Sequence, residues 1–186
     1  NQETGWSYVQ KPNQAFYIFE SIQIDEEVSL GNGCTGSHFD GDPCDALDED
    51  CGYCCENPGS CDVIGAFYND VCIGWVYADA SGYTTVPAMG QQEDYPYGGE
   101  IIEFRIYDST EQSIISFYVT DCYNVQGADL DCTWTNNEIK MINPISFQYP
   151  QGDGDELFYD GDISIINFLD NEEIPSKFDL LSAYPN

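Results

Sequence analysis

The chain has 186 residues, 42% of them hydrophobic and 15% aromatic, with 34 Asp plus Glu against 4 Lys plus Arg. That length supports one sandwich or barrel with a real core, and the apolar content offsets the entropy of folding, which excludes a disordered chain. A net charge of −30 excludes nucleic acid and anionic membrane as partners, because Lys and Arg contacts hold both.

From the N-terminus, residues 6 to 24 read as strands: Gly5-Trp6-Ser7-Tyr8-Val9, then a run from Ala15 to Ile24 that ends in alternation of Ile with polar residues. After the acidic Asp25-Glu26-Glu27 the hydrophobic periodicity vanishes. Residues 31 to 61 form a long loop of Gly, Asp, Asn and Pro that contains Cys34, Cys44, Cys51, Cys54, Cys55 and Cys61.

Nine cysteines in so short a chain point to an oxidising compartment and to disulfides. The six in the loop are expected to form three bridges whose pairing the spacing leaves open. Cys51-Gly-Tyr-Cys54 also has the spacing of half a zinc site, but the second spaced pair of a zinc ribbon is missing. Cys122 and Cys132 flank a short polar loop and are expected to bridge, a link worth about 3 kcal/mol in the chain-entropy model. Cys72 is left over, either a buried thiol or a bridge to the loop or to another subunit.

Beyond the loop, residues 62–68 and 71–77 flank Asn69-Asp70, a dipeptide that tolerates left-handed backbone, and predict a hairpin. Further strands are expected at 83–86, 100–107, 113–120, 139–147 and 157–166, separated by Gly, Pro, Asp or Asn. No segment carries a helical stripe. The expected fold is therefore all-β: an antiparallel sandwich, Ig-like or jelly-roll-like, spanning residues 1–170 with the Cys-rich insertion at 31–61. Residues 171–186, polar and with two prolines, read as an extended linker. No apolar run has transmembrane length, and no basic, apolar leader stands at Asn1, so the expectation for an exported protein is a processed form.

The stretch Ile174-Pro-Ser-Lys-Phe-Asp-Leu-Leu-Ser-Ala-Tyr-Pro-Asn186 resembles the entry into a C-terminal sorting domain of the type IX secretion system. The segment Asp62-Val-Ile-Gly-Ala-Phe-Tyr-Asn-Asp-Val-Cys-Ile-Gly-Trp75, with Val86-Pro-Ala-Met-Gly90, Phe104-Arg-Ile-Tyr-Asp108 and Trp134-Thr-Asn-Asn-Glu-Ile139, resembles a β module of large secreted proteins exported by that route. The resemblance implies a bacterial surface or released protein and transfers no catalytic residues.

Two acidic clusters are candidate calcium sites: Asp40, Asp42, Asp45, Asp48 and Asp50, and Asp153, Asp155, Asp160 and Asp162. Asp alternating with Gly wraps several oxygens around one Ca²⁺, although neither cluster has the EF-hand spacing. With only Lys11, Arg105, Lys140 and Lys177 to pair with, the carboxylates need such counter-ions. His38 is the single histidine and has no nucleophile motif near it. Among 34 acids, glycosidase-like carboxylate pairs arise by chance and carry no signal. Trp6, Trp75 and Trp134 with Tyr83, Tyr95 and Tyr97 are candidates for a sugar-stacking surface; Trp75 is assigned to the core, and Tyr95 and Tyr97 are kept as possible glycan contacts.

The functional expectation is a secreted, non-enzymatic structural protein, a self-assembling surface or fibril subunit stabilised by calcium and disulfides, whose partners are copies of itself or extracellular glycans. Strand edges, with segments 1–8 and 174–186 as added strands, are the expected means of assembly. A carbohydrate-binding adhesin module is the alternative, and a secreted polysaccharide hydrolase the second.

Overall fold

The computed structural model describes residues 4–24, 27–28, 62–78, 83–109, 111–150 and 157–169. The loop cysteines, the cluster from Asp40 to Asp50, Asp153, Asp155 and the linker 171–186 lie outside these residues. The described chain is all-β. Its strands are β1 (Gln14–Phe19), β2 (Ile22–Ile24), β3 (Glu27–Val28), β4 (Val63–Tyr68), β5 (Val71–Tyr77), β6 (Thr84–Met89), β7 (Glu103–Asp108), β8 (Ser113–Val119), β9 (Cys122–Tyr123), β10 (Asp129–Leu130), β11 (Ile139–Ile142), β12 (Ile145–Gln148), β13 (Phe158–Asp160) and β14 (Ile163–Leu169).

Two layers form the sandwich. The front layer joins a five-stranded sheet, β10-β9-β11-β1-β6, to a four-stranded one, β13-β12-β2-β3; the back layer is β14-β8-β7-β4-β5. The two front sheets run into one another. β1 pairs parallel with β11 and β2 parallel with β12, and the Glu20 N–H to Ile142 O and Ile145 N–H to Ser21 O bonds carry that pairing across the gap. The single long strands expected at 15–24 and 139–147 are thus each broken in two. Asn143-Pro144 explains the second break, since proline has no N–H for a ladder. The remaining pairs are antiparallel.

Asn69 and Asp70 both take positive φ (48° and 63°), the backbone of a two-residue type I′ turn, and close the β4–β5 hairpin in the expected place. Residues 5–9 form no strand. They lie instead over the outside of the back layer, where Trp6 meets Phe67 edge to face at 5.1 Å and covers Gly65.

The core fills the space between the layers. Tyr17 and Phe19 of β1 meet Phe104 of β7 at 5.0 and 5.2 Å, and Phe117 of β8 lies 6.1 Å from Phe19 and 5.6 Å from Phe147 of β12. Fully buried Trp134 donates its Nε1–H to Ala88 O at 2.9 Å. The layers converge along β5 and β6, where a Cβ placed on Gly74 would stand 1.6 Å from Pro87 O. Pro87 occupies an edge strand, the place in a sheet where a missing N–H costs least. Gly74→Ala should force the two strands apart and lower stability by about 3 kcal/mol. Thermal melting checks this, with a fall of roughly 6–12 °C expected for a domain of this size.

Candidate functional site

The expected bridge between Cys122 and Cys132 is present, with a Cα–Cα distance of 5.4 Å. It staples the small β9–β10 hairpin to the loop that leads back to β11. Lys140 of β11, 1% exposed, anchors the same loop from within: its Nζ donates to Asp131 O at 2.7 Å and pairs with Glu138 at 2.6 Å. Tyr17 Oη adds a bond to Cys132 O at 3.2 Å. Burial pushes the Tyr17 phenol up, and the carboxylates of Glu138 and Asp131 add to the shift. These groups secure a corner of the fold.

Of the second acidic cluster, Asp160 and Asp162 are described. Asp160 Oδ1 accepts the N–H of Gly161 at 2.9 Å, and Asp162 Oδ2 accepts from the Asn143 amide at 2.9 Å. Among the described residues no three His, Cys, Asp or Glu side chains converge to hold a metal. Two further carboxylates, Asp62 and Asp108, are buried at the adjoining ends of β4 and β7. Asp62 accepts from Ser109 N and Oγ at 2.7 and 2.8 Å, and Asp108 from Tyr149 Oη at 2.8 Å. They fasten the β7–β8 turn to the sandwich.

The aromatic candidates divide. Trp6 and Trp134 are buried. Tyr95 is half-buried against the core with Lys11 Nζ 5.8 Å from its ring, whereas Tyr97 is 56% exposed and its N–H is held by Glu100 at 2.5 Å. Trp75, assigned to the core from the sequence, is only half-buried and belongs to the outside of the back layer. Strand β5 bulges opposite Ala66/Phe67, which sends Ile73 inward and leaves Cys72, Trp75 and Tyr77 outward.

Two surfaces stand out once the strands are in register. The first is the outer face of the five-stranded front sheet. Pro87, Phe16 and Ile139 form one row across β6, β1 and β11; Thr85, Ile18, Met141 and Tyr123 form the next. All seven are half-buried or exposed, Ile139 to 43%, and no charge enters either row before Asp129 on the last strand. Tyr123 sits at the rim, its phenol pushed up to about 12 by burial and by a hydrogen bond to Glu20. Among the described residues the back layer ends in β14, whose seven residues, Ile-Ser-Ile-Ile-Asn-Phe-Leu, carry no charge.

The second surface is the outer face of the back layer. Tyr77, Val63, Tyr107 and Ile114 line up across β5, β4, β7 and β8, and Trp75, Gly65 and Arg105 form the row beside them. Trp6 lies over this face and closes a small core with Val63, Phe67 and Cys72, with Tyr8, Trp75, Tyr107 and Ile114 packed around it. Arg105 is fully engaged: its guanidinium lies 4.2 Å from the Phe67 ring and pairs with Asp70 and Glu103, each at 2.5 Å.

Comparison with protein-family models, curated proteins and solved structures finds no match to this chain.

Cys72 is a free, buried thiol, 8% exposed. Burial pushes it up from its ordinary 9.0 to about 11. The fold thus favours the neutral thiol; the stability it contributes is complete below pH 9 and is lost as pH rises through 11. At pH 8 a thiol reagent should label the Cys72 peptide only as fast as the protein unfolds. Peptide mass mapping checks this, and immediate labelling of the native protein would contradict the assigned burial.

Proposed function

We propose that this chain is a non-enzymatic, extracellular structural protein, a surface or fibril subunit that assembles with copies of itself. The outer face of the five-stranded front sheet, whose central rows hold no charge, carries the reading. In a chain with 34 acidic residues, two consecutive rows that are mostly apolar and hold no carboxylate from β6 to β11 mark an interaction surface rather than a solvated one. Strand β1 reads Ala-Phe-Tyr-Ile-Phe over residues 15–19, apolar on both faces, the pattern of a strand covered from both sides. Its inward residues meet the back layer, and its outward ones, Phe16 and Ile18, await a partner in the assembly.

The neutral edge strand β14 supports the same reading, since edges are ordinarily blunted by charge or proline. A bulge between Ile165 and Asn167 interrupts the edge and restricts what pairs there. Of the N-terminal segment, residues 4–8 lie on the chain's own back layer, so assembly is assigned to the sheet face and to β14 rather than to that segment. Export to an oxidising compartment agrees with the Cys122–Cys132 bridge and with the resemblance to type IX secretion cargo.

Like-charged subunits at −30 repel, so divalent cations, calcium foremost, are the proposed counter-ions of the assembly. Light scattering and negative-stain microscopy should show large particles in calcium and dissociation in EDTA. Chelation should also lower the melting temperature by several degrees, because a bound ion at a hundredfold excess over Kd adds ~2.7 kcal/mol. Ile139→Glu places a carboxylate in the centre of the apolar face and should abolish assembly with a stability change within about 0.5 kcal/mol. A folded Ile139→Glu protein that assembles like the parent would overturn the assigned face, and assembly indifferent to EDTA would overturn the cation's part.

A further inference from the structure

We propose that strand β14 pairs antiparallel with β14 of a second copy across a twofold axis, so that the back layers of two subunits join edge to edge. This rests on the assembly reading above and names the partner of one of its two surfaces. Three observations select that partner.

The other edges of the sandwich are closed to an added strand. Among the described residues the sheets end in β10, β6, β13, β3, β14 and β5. β10 and β3 are two residues long and carry Asp129 and Glu27, and β13 is three residues long and carries Asp160. β6 contains Pro87, and β5 is pressed against β6 where Gly74 meets Pro87 O. Short strands, charge and proline are the devices by which sheets refuse an added strand. β14 has none of them: it is seven residues long and holds neither charge nor proline. An incoming strand needs a free edge of its own, and among the described strands of an identical copy β14 alone offers one. The strand therefore meets itself, and such a contact is isologous.

The stretch before the bulge matches itself when turned end for end. Ile163 and Ile165 pack toward the core, and Ser164 is exposed opposite Tyr118 of β8. With Ser164 on the axis, Ile163 of each copy stands opposite Ile165 of the other, so apolar meets apolar on the core side and hydroxyl meets hydroxyl outside. A slip of one residue would set Ile against Ser on opposite faces. The bulge between Ile165 and Asn167 ends the regular stretch and keeps the ladder short.

The charge pattern agrees. At −30 per chain the copies repel, and a backbone contact is least opposed where neither side brings a carboxylate. In this register the nearest acid, Asp162, stands opposite Ile166, which is 43% exposed, rather than opposite its own copy, and its carboxylate is held by the Asn143 amide at 2.9 Å. The contact also complements the front face. One sheet face meets one other, so growth past a pair needs a second contact on a different part of the subunit, and the edge of the back layer supplies it.

The test uses the full chain in the calcium conditions of the assembly assay. Ser164→Glu sets two carboxylates against each other across the axis and should abolish the large particles and leave pairs, with the melting temperature within about 2 °C of the parent because Ser164 is exposed. Ser164→Cys under mild oxidation should give a covalent dimer, reversed by reductant, whose peptide map joins position 164 to position 164. Tyr97→Cys, exposed on another part of the surface, should give no such link. If Ser164→Glu fails to fold, the cross-link decides the matter. A folded Ser164→Glu protein that assembles like the parent, or an assembling Ser164→Cys protein without the 164–164 link, would overturn the pairing and leave the front face standing. A parent chain that stays monomeric would overturn the pairing together with the assembly reading.

Discussion

The ring stack of Tyr17, Phe19, Phe104, Phe117 and Phe147 has to outweigh the self-repulsion of a chain carrying −30, and the rest of the structure is arranged around that demand. Each ring is almost completely buried, and burying one such side chain contributes about 1.5–3 kcal/mol. Together they match the whole net stability of an ordinary domain. The stack also fixes the topology. Its members come from β1, β7, β8 and β12, so neither layer closes its core without the other. Tyr17 and Phe19 sit two apart on β1, as do Tyr17's neighbours Phe16 and Ile18 on the opposite side; a one-residue slip in register would exchange the two sets and break the core.

The few cations are used where the fold most needs them. Lys140 is taken almost wholly out of water, a costly step that only good pairing offsets; of its partners, Asp131 lies in the loop closed by Cys122 and Cys132 and Glu138 in the segment that leads from it to β11. That loop is therefore held twice, covalently and by charge. Arg105 serves the back layer in a similar way, tying the Asn69-Asp70 turn through Asp70 to its own strand through Glu103, with Phe67 as a floor. In a chain so acidic, a cation spent on a corner or a turn is withheld from the surface. The outer face of the five-stranded front sheet manages repulsion by leaving charge out of its central rows.

Much of the layering was legible in the sequence because strand alternation and turn chemistry are local signals. Asn69-Asp70 names its own turn, and the alternating apolar residues of β7 and β8 identify their buried faces before any partner is known. Pairing direction is another matter. A parallel neighbour and an antiparallel one ask for the same side-chain pattern, so nothing in Gln14–Phe19 announces that it lies parallel to Ile139–Ile142. The two-residue strands β9 and β10 follow from the disulfide rather than from propensity, and Trp6 reads as a strand residue because its service as a cover for Gly65 depends on a contact across the fold. The bulge that turns Trp75 outward is equally silent, since one extra residue in a strand reverses every later side chain without changing composition. The apolar outer face of the front layer did leave a trace: Phe16 and Ile18 interrupt the alternation of β1, as they would in a strand covered on both sides.

The two outer faces differ in chemistry as well as in place, and that difference decides whether they compete. One is mostly apolar, built of Pro87, Phe16, Ile139, Ile18 and Met141 with Thr85 and Tyr123; the other is aromatic, built of Trp75, Tyr77 and Tyr107, with Trp6 and Tyr8 packed on it. They lie on opposite sides of the sandwich, since each backs onto the shared core from its own layer. A partner on the front layer therefore leaves the packing of Trp6 and Tyr8 on the back layer undisturbed. Because the front face carries apolar rows rather than ion pairs, salt screening favours contacts made through it. It lowers the repulsion between subunits without weakening apolar or stacking contacts, which gain nothing from Coulomb attraction in the first place.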